Sequence, residues 1–301
     1  MKPLLVIVGG PTGIGKTATA IKLAQHFNTE IVSADSRQFF KELSIGTAVP
    51  SAKELAAAKH HFIHNLSIDD GYNASDYEED TIQLLDKLFT KHKVVILAGG
   101  SGLYIDAVCK GIDYLPTISQ EVRKKYQDIF EQEGIETVRT LVEKIDPEYY
   151  QKVDRNNHKR MLKALEVFDM TGQPYTSFLK NQKKQRSFNT LTIILDMDRT
   201  ELYERINYRV DHMVEAGLID EALTVLSKKH LTPLKTVGYK ELFEYFEGNI
   251  TKEEAITQIK NHSRAYARRQ LTWFRRYEDA HWFQPDQVEE MVELIRKYPN
   301  S

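Results

Sequence analysis

The chain has 301 residues, of which 41% are hydrophobic and 28% charged, with a formal net charge of −2. These values are ordinary for a globular protein of one large domain, or of one domain with an insertion. No run approaches the ~18 apolar residues of a membrane span, so no membrane partner is expected. The single cysteine, Cys109, excludes a disulfide framework or a cysteine zinc cluster within one chain. A cytoplasmic location is the default expectation.

Short apolar runs alternate with helical patterns in the first hundred residues. The runs are Leu4–Val8, Glu30–Ala34 and Lys93–Ala98. Each is short and continuous, and the segments between them carry a helical pattern. This alternation predicts parallel strands in a sheet covered by helices on both faces.

A glycine-rich segment follows the first predicted strand and matches the pattern G-x-x-x-x-G-K-[ST]. Its residues are Gly10, Pro11, Thr12, Gly13, Ile14, Gly15, Lys16 and Thr17. Glycines let backbone N–H groups surround phosphate oxygens, and the helix N-terminus that follows adds partial positive charge. Lys16 adds a full charge, and the Thr17 hydroxyl can ligate Mg²⁺. The motif predicts polyphosphate binding, for a nucleotide or for another diphosphate.

Asp35 ends the second predicted strand, whereas the third ends in Gly99-Gly100-Ser101 without an acid. A P-loop kinase needs a carboxylate near the Mg²⁺, and Asp35 fits that role. It equally fits a group that meets the acceptor substrate. The residues alone leave both interpretations open.

The pattern becomes charged and helical from about residue 116 to 186, with clear helices over Gln120–Glu133 and His158–Met170. Thr190–Asp196 is again a predicted strand. After Arg199 the chain is predicted to be helical nearly to its end, with breaks near Thr232–Gly238 and at Pro285.

We therefore predict an α/β fold. A P-loop NTPase-like core, with a parallel sheet flanked by helices, is formed by residues 1–115 and 187–301. An all-helical insertion domain covers residues 116–186.

Basic residues are concentrated late in the chain. No acidic residue occurs from Ala255 to Tyr277, and a basic stretch at 152–163 precedes it. The late segment contains Lys260, Arg264, Arg268, Arg269, Arg275 and Arg276, interleaved with aromatic residues. Basic and aromatic interleaving is typical of nucleic-acid binding, with a solvated helix face as the alternative.

Short motifs run through the chain from residue 9 to about 276. They are GPTGIGKT at 10–17, DSRQ at 35–38, IGTAVP at 45–50, HHFI at 60–63, YNASDY at 72–77, AGGSGLY at 98–104, ALEV at 164–167, VGYK at 237–240 and RRQLTWFR at 268–275. In this order they resemble the motifs of the tRNA dimethylallyltransferase family (isopentenyl-diphosphate:tRNA transferase). Ser101 stands where the family has Thr, and keeps the hydroxyl.

The resemblance implies transfer of a dimethylallyl group from dimethylallyl diphosphate to N6 of adenine 37, in tRNAs reading codons that begin with U. The phosphate loop, residues 10–17, would then bind the diphosphate leaving group. Arg205 and Arg209 would add to it, with Mg²⁺ on Thr17. Asp35 would accept the proton of the adenine amine, so Asp35, Lys16 and Thr17 are the predicted catalytic residues.

The resemblance also implies contacts to the tRNA anticodon stem-loop. They fall on Asp35, Ser36, Arg37, Gln38, Ser101, Arg123, Lys159, Arg160, Met161, Leu162, Lys163, Lys235, Thr236, Val237, Gly238, Tyr239 and Lys240. A monomer is expected.

Two other functions fit part of the sequence. A small-molecule P-loop kinase shares the phosphate loop but predicts ATP turnover, and a non-catalytic RNA-binding protein predicts RNA affinity without diphosphate release. The adjacent His60 and His61 suggest a metal site, but neighbours on a strand point to opposite faces. We therefore expect structural roles for them.

Overall fold

The structure is a computed structural model that describes residues 2–113, 115–116, 118–179 and 184–298. The chain divides into two compact units. The first is formed by Met1–Lys110 together with Gln185–Ser301, and the second by Gly111–Lys184. Among the described residues, no helix combines the length and apolar character needed to cross a bilayer.

A six-stranded parallel sheet organises the first unit. Its strands are β1 (Leu4–Gly9), β2 (Ile31–Ser33), β3 (His60–His61), β4 (Val94–Gly99), β5 (Asn189–Leu195) and β6 (His281–Phe283), in the spatial order β3-β2-β4-β1-β5-β6. Because every pairing is parallel, the carboxyl ends of all strands lie at one edge. Ligands of open α/β sheets bind at that edge.

Helices account for most of the remaining structure. They are α1 (Lys16–His26), α2 (Ala52–Ala57), α3 (Ala74–Leu88), α4 (Gly102–Lys110), α5 (Gln120–Ile145), α6 (Pro147–Lys152), α7 (His158–Thr171), α8 (Arg199–Glu215), α9 (Leu218–Thr224), α10 (Tyr239–Phe246), α11 (Lys252–Phe274) and α12 (Val288–Lys297). Helices α5 to α7 belong to the second unit and the others to the first.

Both faces of the sheet are buried. Along β1, Leu5 and Ile7 join one hydrophobic core, while Leu4, Val6 and Val8 join another. Alternate side chains of a strand point to opposite faces, so a continuous apolar run is what a strand covered on both faces requires. The predicted α/β fold with a parallel sheet flanked by helices is therefore confirmed.

Two strands, β3 and β6, were not predicted from the sequence. They form the two edges of the sheet and contain only two and three residues. Both are partly exposed, with Trp282 of β6 at 37%. Because neither has a continuous apolar run, periodicity gave no strand signal. The prediction that the chain is helical nearly to its end after Arg199, with breaks near Thr232–Gly238 and at Pro285, omits β6.

The second unit is built from helices in its described part. Helix α5 is interrupted at Gly134, which has the positive φ of 79° that favours glycine. Val138 and Val142 of α5 pack with Met161 and Leu165 of α7 in a core of their own.

Candidate active site

Three loops meet at the carboxyl edge of the sheet, following β1, β2 and β4. The register pairs Gly9 of β1 with Gly99 of β4, and Ser33 of β2 with Ala98 of β4. The phosphate loop, Asp35 and Ser101 therefore emerge side by side, although 65 residues separate Ser36 from Ser101.

The phosphate loop takes a backbone conformation that its glycines permit. Gly13 and Gly15 have φ values of 81° and 106°, in the left-handed region. A Cβ on Gly13 would lie 2.9 Å from Cγ1 of Ile206, so a side chain would also clash there. Gly15 is the N-cap of α1, which leaves the first-turn amides of that helix available to an anion.

Gln270 of α11 braces the phosphate loop against the loop after β4. Its Oε1 accepts a hydrogen bond from the backbone N–H of Thr12 at 2.8 Å, and its Nε2 donates to the carbonyl of Gly100 at 2.9 Å. A Cβ on Gly100 would lie only 2.2 Å from that Nε2, so a side chain here would displace the Gln270 amide from this position. Sequence reasoning missed this role, although Gln270 stands in the RRQLTWFR motif.

The ammonium group of Lys16 lies in a buried environment at the start of α1. Its Nζ donates to the carbonyl of Pro11 at 2.8 Å. Burial is the main reason that the pKa of Lys16 falls to about 7; Asp35 opposes this change and Arg209 contributes to it. A bound diphosphate would stabilise the charged form of Lys16, which is costly in the free protein. The loop therefore favours a polyanionic ligand.

The Asp35 loop is interlocked with the loop after β4. Oδ1 of Asp35 accepts from the backbone N–H of Arg37 at 3.0 Å. Oγ of Ser101 accepts from the N–H of Ser36 at 3.1 Å and donates to Oγ of Ser36 at 3.2 Å. These bonds fix the direction of the loop that carries the carboxylate.

Two guanidinium groups lie within electrostatic range of Asp35. Burial lowers the pKa of Arg37 and of Arg209, and Asp35 opposes that change in both. Tyr266 of α11 also faces the carboxylate; burial and Asp35 raise its pKa to about 12. With Lys16, the site brings one carboxylate and three basic side chains together.

A cavity of about 320 Å³ opens beside these groups. Its wall combines Thr12 of the phosphate loop, Arg209 of α8, Tyr266 and Arg269 of α11, and the turn at Gly46 and Thr47. Among the residues predicted to contact tRNA, those lining it are Asp35, Ser36, Arg37, Lys235, Thr236, Val237, Gly238 and Lys240.

Apart from Ser101 and most of the phosphate loop, three predicted site residues of the first unit do not line the cavity. Arg205 does not line the cavity; its side chain is 43% exposed and pairs with Glu201 at 3.9 Å, beside Gly15. Gln38 donates to the carbonyl of Ala48 at 3.0 Å. Tyr239 is fully buried, so it supports the cavity wall from behind.

The remaining predicted contacts belong to the second unit. Arg123, Lys159 and Arg160 are exposed. Lys163 is half-buried, and burial lowers its pKa. Met161 and Leu162 are buried in the core of that unit, where they pack the helix that presents the basic side chains.

The adjacent histidines of β3 have separate partners. Nδ1 of His60 lies 2.8 Å from the carbonyl of Ala58, and Nε2 of His61 lies 2.6 Å from the Glu30 carboxylate.

Known proteins share the sequence and the fold of this chain. The family model described as IPP transferase matches residues 38–277. The chain belongs to the IPP transferase family. The tRNA dimethylallyltransferase 1 of Bacteroides thetaiotaomicron is 49% identical over 294 residues, covering 98% of this chain and 96% of the relative. The tRNA dimethylallyltransferase of Flavobacterium johnsoniae is 50% identical over 289 residues, covering 94% and 93%.

Solved structures give the same assignment to the IPP transferase family. The tRNA isopentenylpyrophosphate transferase of Bacillus halodurans has a TM-score of 0.72 and 34% identity, with 98% of this chain and 96% of that chain covered. A eukaryotic dimethylallyltransferase acting on tRNA has a TM-score of 0.79 at 22% identity, covering 97% and 78%, and shares the fold.

Proposed function

We propose that this protein transfers a dimethylallyl group from dimethylallyl diphosphate to N6 of an adenine in the tRNA anticodon loop, releasing pyrophosphate. The observation that carries the proposal is the placement of Asp35. Its carboxylate lies within electrostatic range of Lys16 in the phosphate loop and of Arg37 and Arg209 at the cavity. The carboxyl edge of the sheet would thus provide a diphosphate site and an acceptor site side by side. The names of the relatives support the same reaction.

The phosphate loop would hold the diphosphate while the C–O bond to the dimethylallyl group breaks. Negative charge grows on the leaving diphosphate at that moment. Lys16, the first-turn amides of α1 and the guanidinium of Arg209 are fixed before the reaction and would stabilise the charge as it forms. Arg205, exposed beside Gly15, is positioned to add to this clamp.

Mg²⁺ fits this site as an ion that arrives with the diphosphate. Thr17 offers one hydroxyl from the first turn of α1, and Asp35 is the nearby carboxylate. In the described ranges no group of three or more His, Cys, Asp or Glu side chains converges as a cation cage. Mg²⁺ keeps several water ligands and binds substrate phosphates, so Thr17 would need to supply only part of its coordination. When bound, the ion would neutralise charge on the leaving group.

Asp35 would act on the acceptor. The N6 amine of adenine is a weak nucleophile because its lone pair is delocalised into the ring. A carboxylate that accepts a hydrogen bond from N6 orients the amine and takes its proton as the new C–N bond forms. The bonds from the Arg37 N–H to Asp35 and from the Ser36 N–H to Ser101 hold that carboxylate in place.

The cavity beside Asp35 would receive the adenine after it leaves the anticodon stack. Lys235, Lys240 and Arg269 line that cavity and are suited to nearby RNA phosphates. Arg123, Lys159 and Arg160 of the second unit are exposed cations that would hold the stem-loop. The acceptor is adenine 37 of tRNAs reading codons that begin with U, and the enzyme acts as a cytoplasmic monomer.

Label transfer tests the proposal. Radiolabelled dimethylallyl diphosphate is incubated with Mg²⁺ and an unmodified anticodon stem-loop, with labelled ATP as the alternative donor. The proposal predicts label in the RNA from dimethylallyl diphosphate alone. Phosphoryl transfer or hydrolysis of ATP without prenyl transfer would instead indicate a P-loop kinase.

A further inference from the structure

Glu221 of α9 does not line the cavity, yet its carboxylate bonds to two segments of the cavity wall. Its Oε2 accepts from the backbone N–H groups of Ser44 at 2.9 Å and Ile45 at 2.8 Å. Its Oε1 accepts from the N–H of Gly46 at 2.9 Å and from the hydroxyl of Tyr239 at 2.6 Å. Three successive amides and one phenol thus converge on a single side chain.

The two segments held in this way face the cavity. Gly46 and Thr47 line it from one segment, and 235–238 line it from the other, directly before Tyr239. The ring of Tyr239 is fully buried against Gly46, where a Cβ would lie 2.6 Å from the hydroxyl oxygen. The two segments are therefore closely packed, and both donate hydrogen bonds to Glu221.

Other side chains hold each segment separately. Gln38 donates to the carbonyls of Thr47 at 3.3 Å and Ala48 at 3.0 Å. Glu241 accepts from the N–H of Gly238 at 2.8 Å. Glu221 differs because it bonds to both segments and so fixes the distance between them.

We propose that Glu221 is a positioning residue for the RNA acceptor, setting the width of the cavity between residues 44–47 and 235–240. The inference rests on the proposed function and names a residue that acts through others. A carboxylate suits the position because all four partners are donors and each oxygen accepts from two of them, whereas an amide would turn its NH2 group toward two of these donors. None of the four bonds involves the phosphate loop, so diphosphate binding is independent of Glu221.

The test compares Glu221→Gln with the wild-type protein in three assays. These are kcat and KM for the stem-loop at saturating dimethylallyl diphosphate, stem-loop affinity by filter binding, and magnesium pyrophosphate affinity by calorimetry. We expect kcat/KM for RNA to fall by about 10- to 100-fold, since a bond to a charged group is lost. Stem-loop affinity should weaken, while pyrophosphate affinity stays at the wild-type value.

Tyr239→Phe removes one of the four donors and keeps the ring. It should reduce kcat/KM for RNA by a few-fold, and the loss should be much smaller in the Glu221→Gln background because both changes break the same bond. If Glu221→Gln does not fold, kcat/KM of the single variant Tyr239→Phe for RNA tests the positioning role instead.

Two control variants separate positioning from general stability. Glu215→Gln removes an exposed carboxylate that pairs with the surface His212 at 3.1 Å, and should behave as wild type. Met291→Ala opens the fully buried core beneath α12, away from the cavity, and lowers stability. It should leave kcat/KM for RNA unchanged.

The inference is overturned if Glu221→Gln keeps wild-type kcat/KM for RNA, if it weakens pyrophosphate binding equally, or if Met291→Ala shows the same RNA defect. If the wild-type protein transfers no label, the proposed function fails. The positioning role is then decided by affinity alone: weaker stem-loop binding in Glu221→Gln supports it, and unchanged binding contradicts it.

Discussion

The side-chain oxygen of Gln270 accepts a hydrogen bond from the backbone N–H of Thr12, at 2.8 Å and across 258 residues of sequence. The other end of the same amide bonds to Gly100, so one side chain fixes the phosphate loop relative to the loop after β4. Gln270 is 6% exposed, so water cannot readily replace its side-chain amide. The diphosphate and acceptor halves of the site are thereby joined through α11.

Gln270→Ala should weaken both stability and diphosphate binding. It leaves the Thr12 N–H and the Gly100 carbonyl without their partner, which costs roughly 2–4 kcal/mol of unfolding free energy. The loosened loop should bind magnesium pyrophosphate about tenfold more weakly. Urea unfolding and calorimetry measure the two effects. Thr272→Ala, on the exposed face of the same helix, is the control, and equal pyrophosphate affinity in both variants would contradict the bracing role.

Lys16→Met should stabilise the free protein below pH 7. The pKa of Lys16 is about 7 in the folded state and near 10.5 in the unfolded chain. Below pH 7 Lys16 is charged in both the folded and the unfolded state, and the folded state carries the full free-energy cost of burying that charge. Between about pH 7 and 10 Lys16 is neutral in the folded protein but still charged in the unfolded chain. The free-energy cost of its burial therefore decreases as the pH rises.

We expect Lys16→Met to gain roughly 2–4 kcal/mol at about pH 6, after the lost bond to Pro11 is deducted. The gain should shrink toward pH 10. Urea unfolding across this range is the measurement, with Lys22→Met on the exposed face of α1 as control. A variant that is less stable than wild type at pH 6 would show that Lys16 is not buried at a cost.

Pyrophosphate binding should be accompanied by proton uptake near pH 8. Lys16 is then largely neutral in the free protein, and the bound anion raises its pKa again. Calorimetry in buffers of different ionisation enthalpy measures the uptake, which should approach one proton. Lys16→Arg keeps a permanent charge and should bind with less uptake. The same uptake in the arginine variant would assign the proton to another group.

Ser101→Ala should impair RNA modification more than diphosphate binding. Ser101 holds the N–H of Ser36 and so fixes the loop that carries Asp35. Removing that acceptor should lower kcat/KM for the stem-loop by roughly tenfold. Ser101→Thr keeps the hydroxyl and should restore most of the activity. If alanine and threonine variants are equally active, the hydroxyl has no positioning role.

The central strands and the phosphate loop were predictable because their signals are local. The run at 4–8 is buried on both faces, and the glycine pattern directly follows it. Placing Asp35 and Ser101 beside this loop required only that parallel strands end at one edge. Edge strands β3 and β6 gave no such signal, since two or three half-exposed residues have no periodicity.

Long-range contacts and burial within a motif could not be predicted in the same way. Gln270 reaches Thr12, and Glu221 reaches Ser44 across 177 residues, through bonds that leave no pattern in the local sequence. The family motif at 237–240 likewise contains the cavity-lining Gly238 and the fully buried Tyr239 side by side. The motif indicates that both residues matter, whereas only the packing of the folded chain shows which of them faces the cavity.

Single-turnover transfer by Asp35→Asn tests the central claim most directly. Preformed enzyme with labelled dimethylallyl diphosphate is mixed with the stem-loop, and stem-loop affinity is measured in parallel. Asparagine keeps the size of the side chain but does not take up a proton, so transfer should fall by about 100-fold or more while RNA affinity stays close to wild type. Transfer at the wild-type rate would contradict the account. A loss of RNA affinity in step with activity would make Asp35 a binding residue and leave the proton acceptor elsewhere.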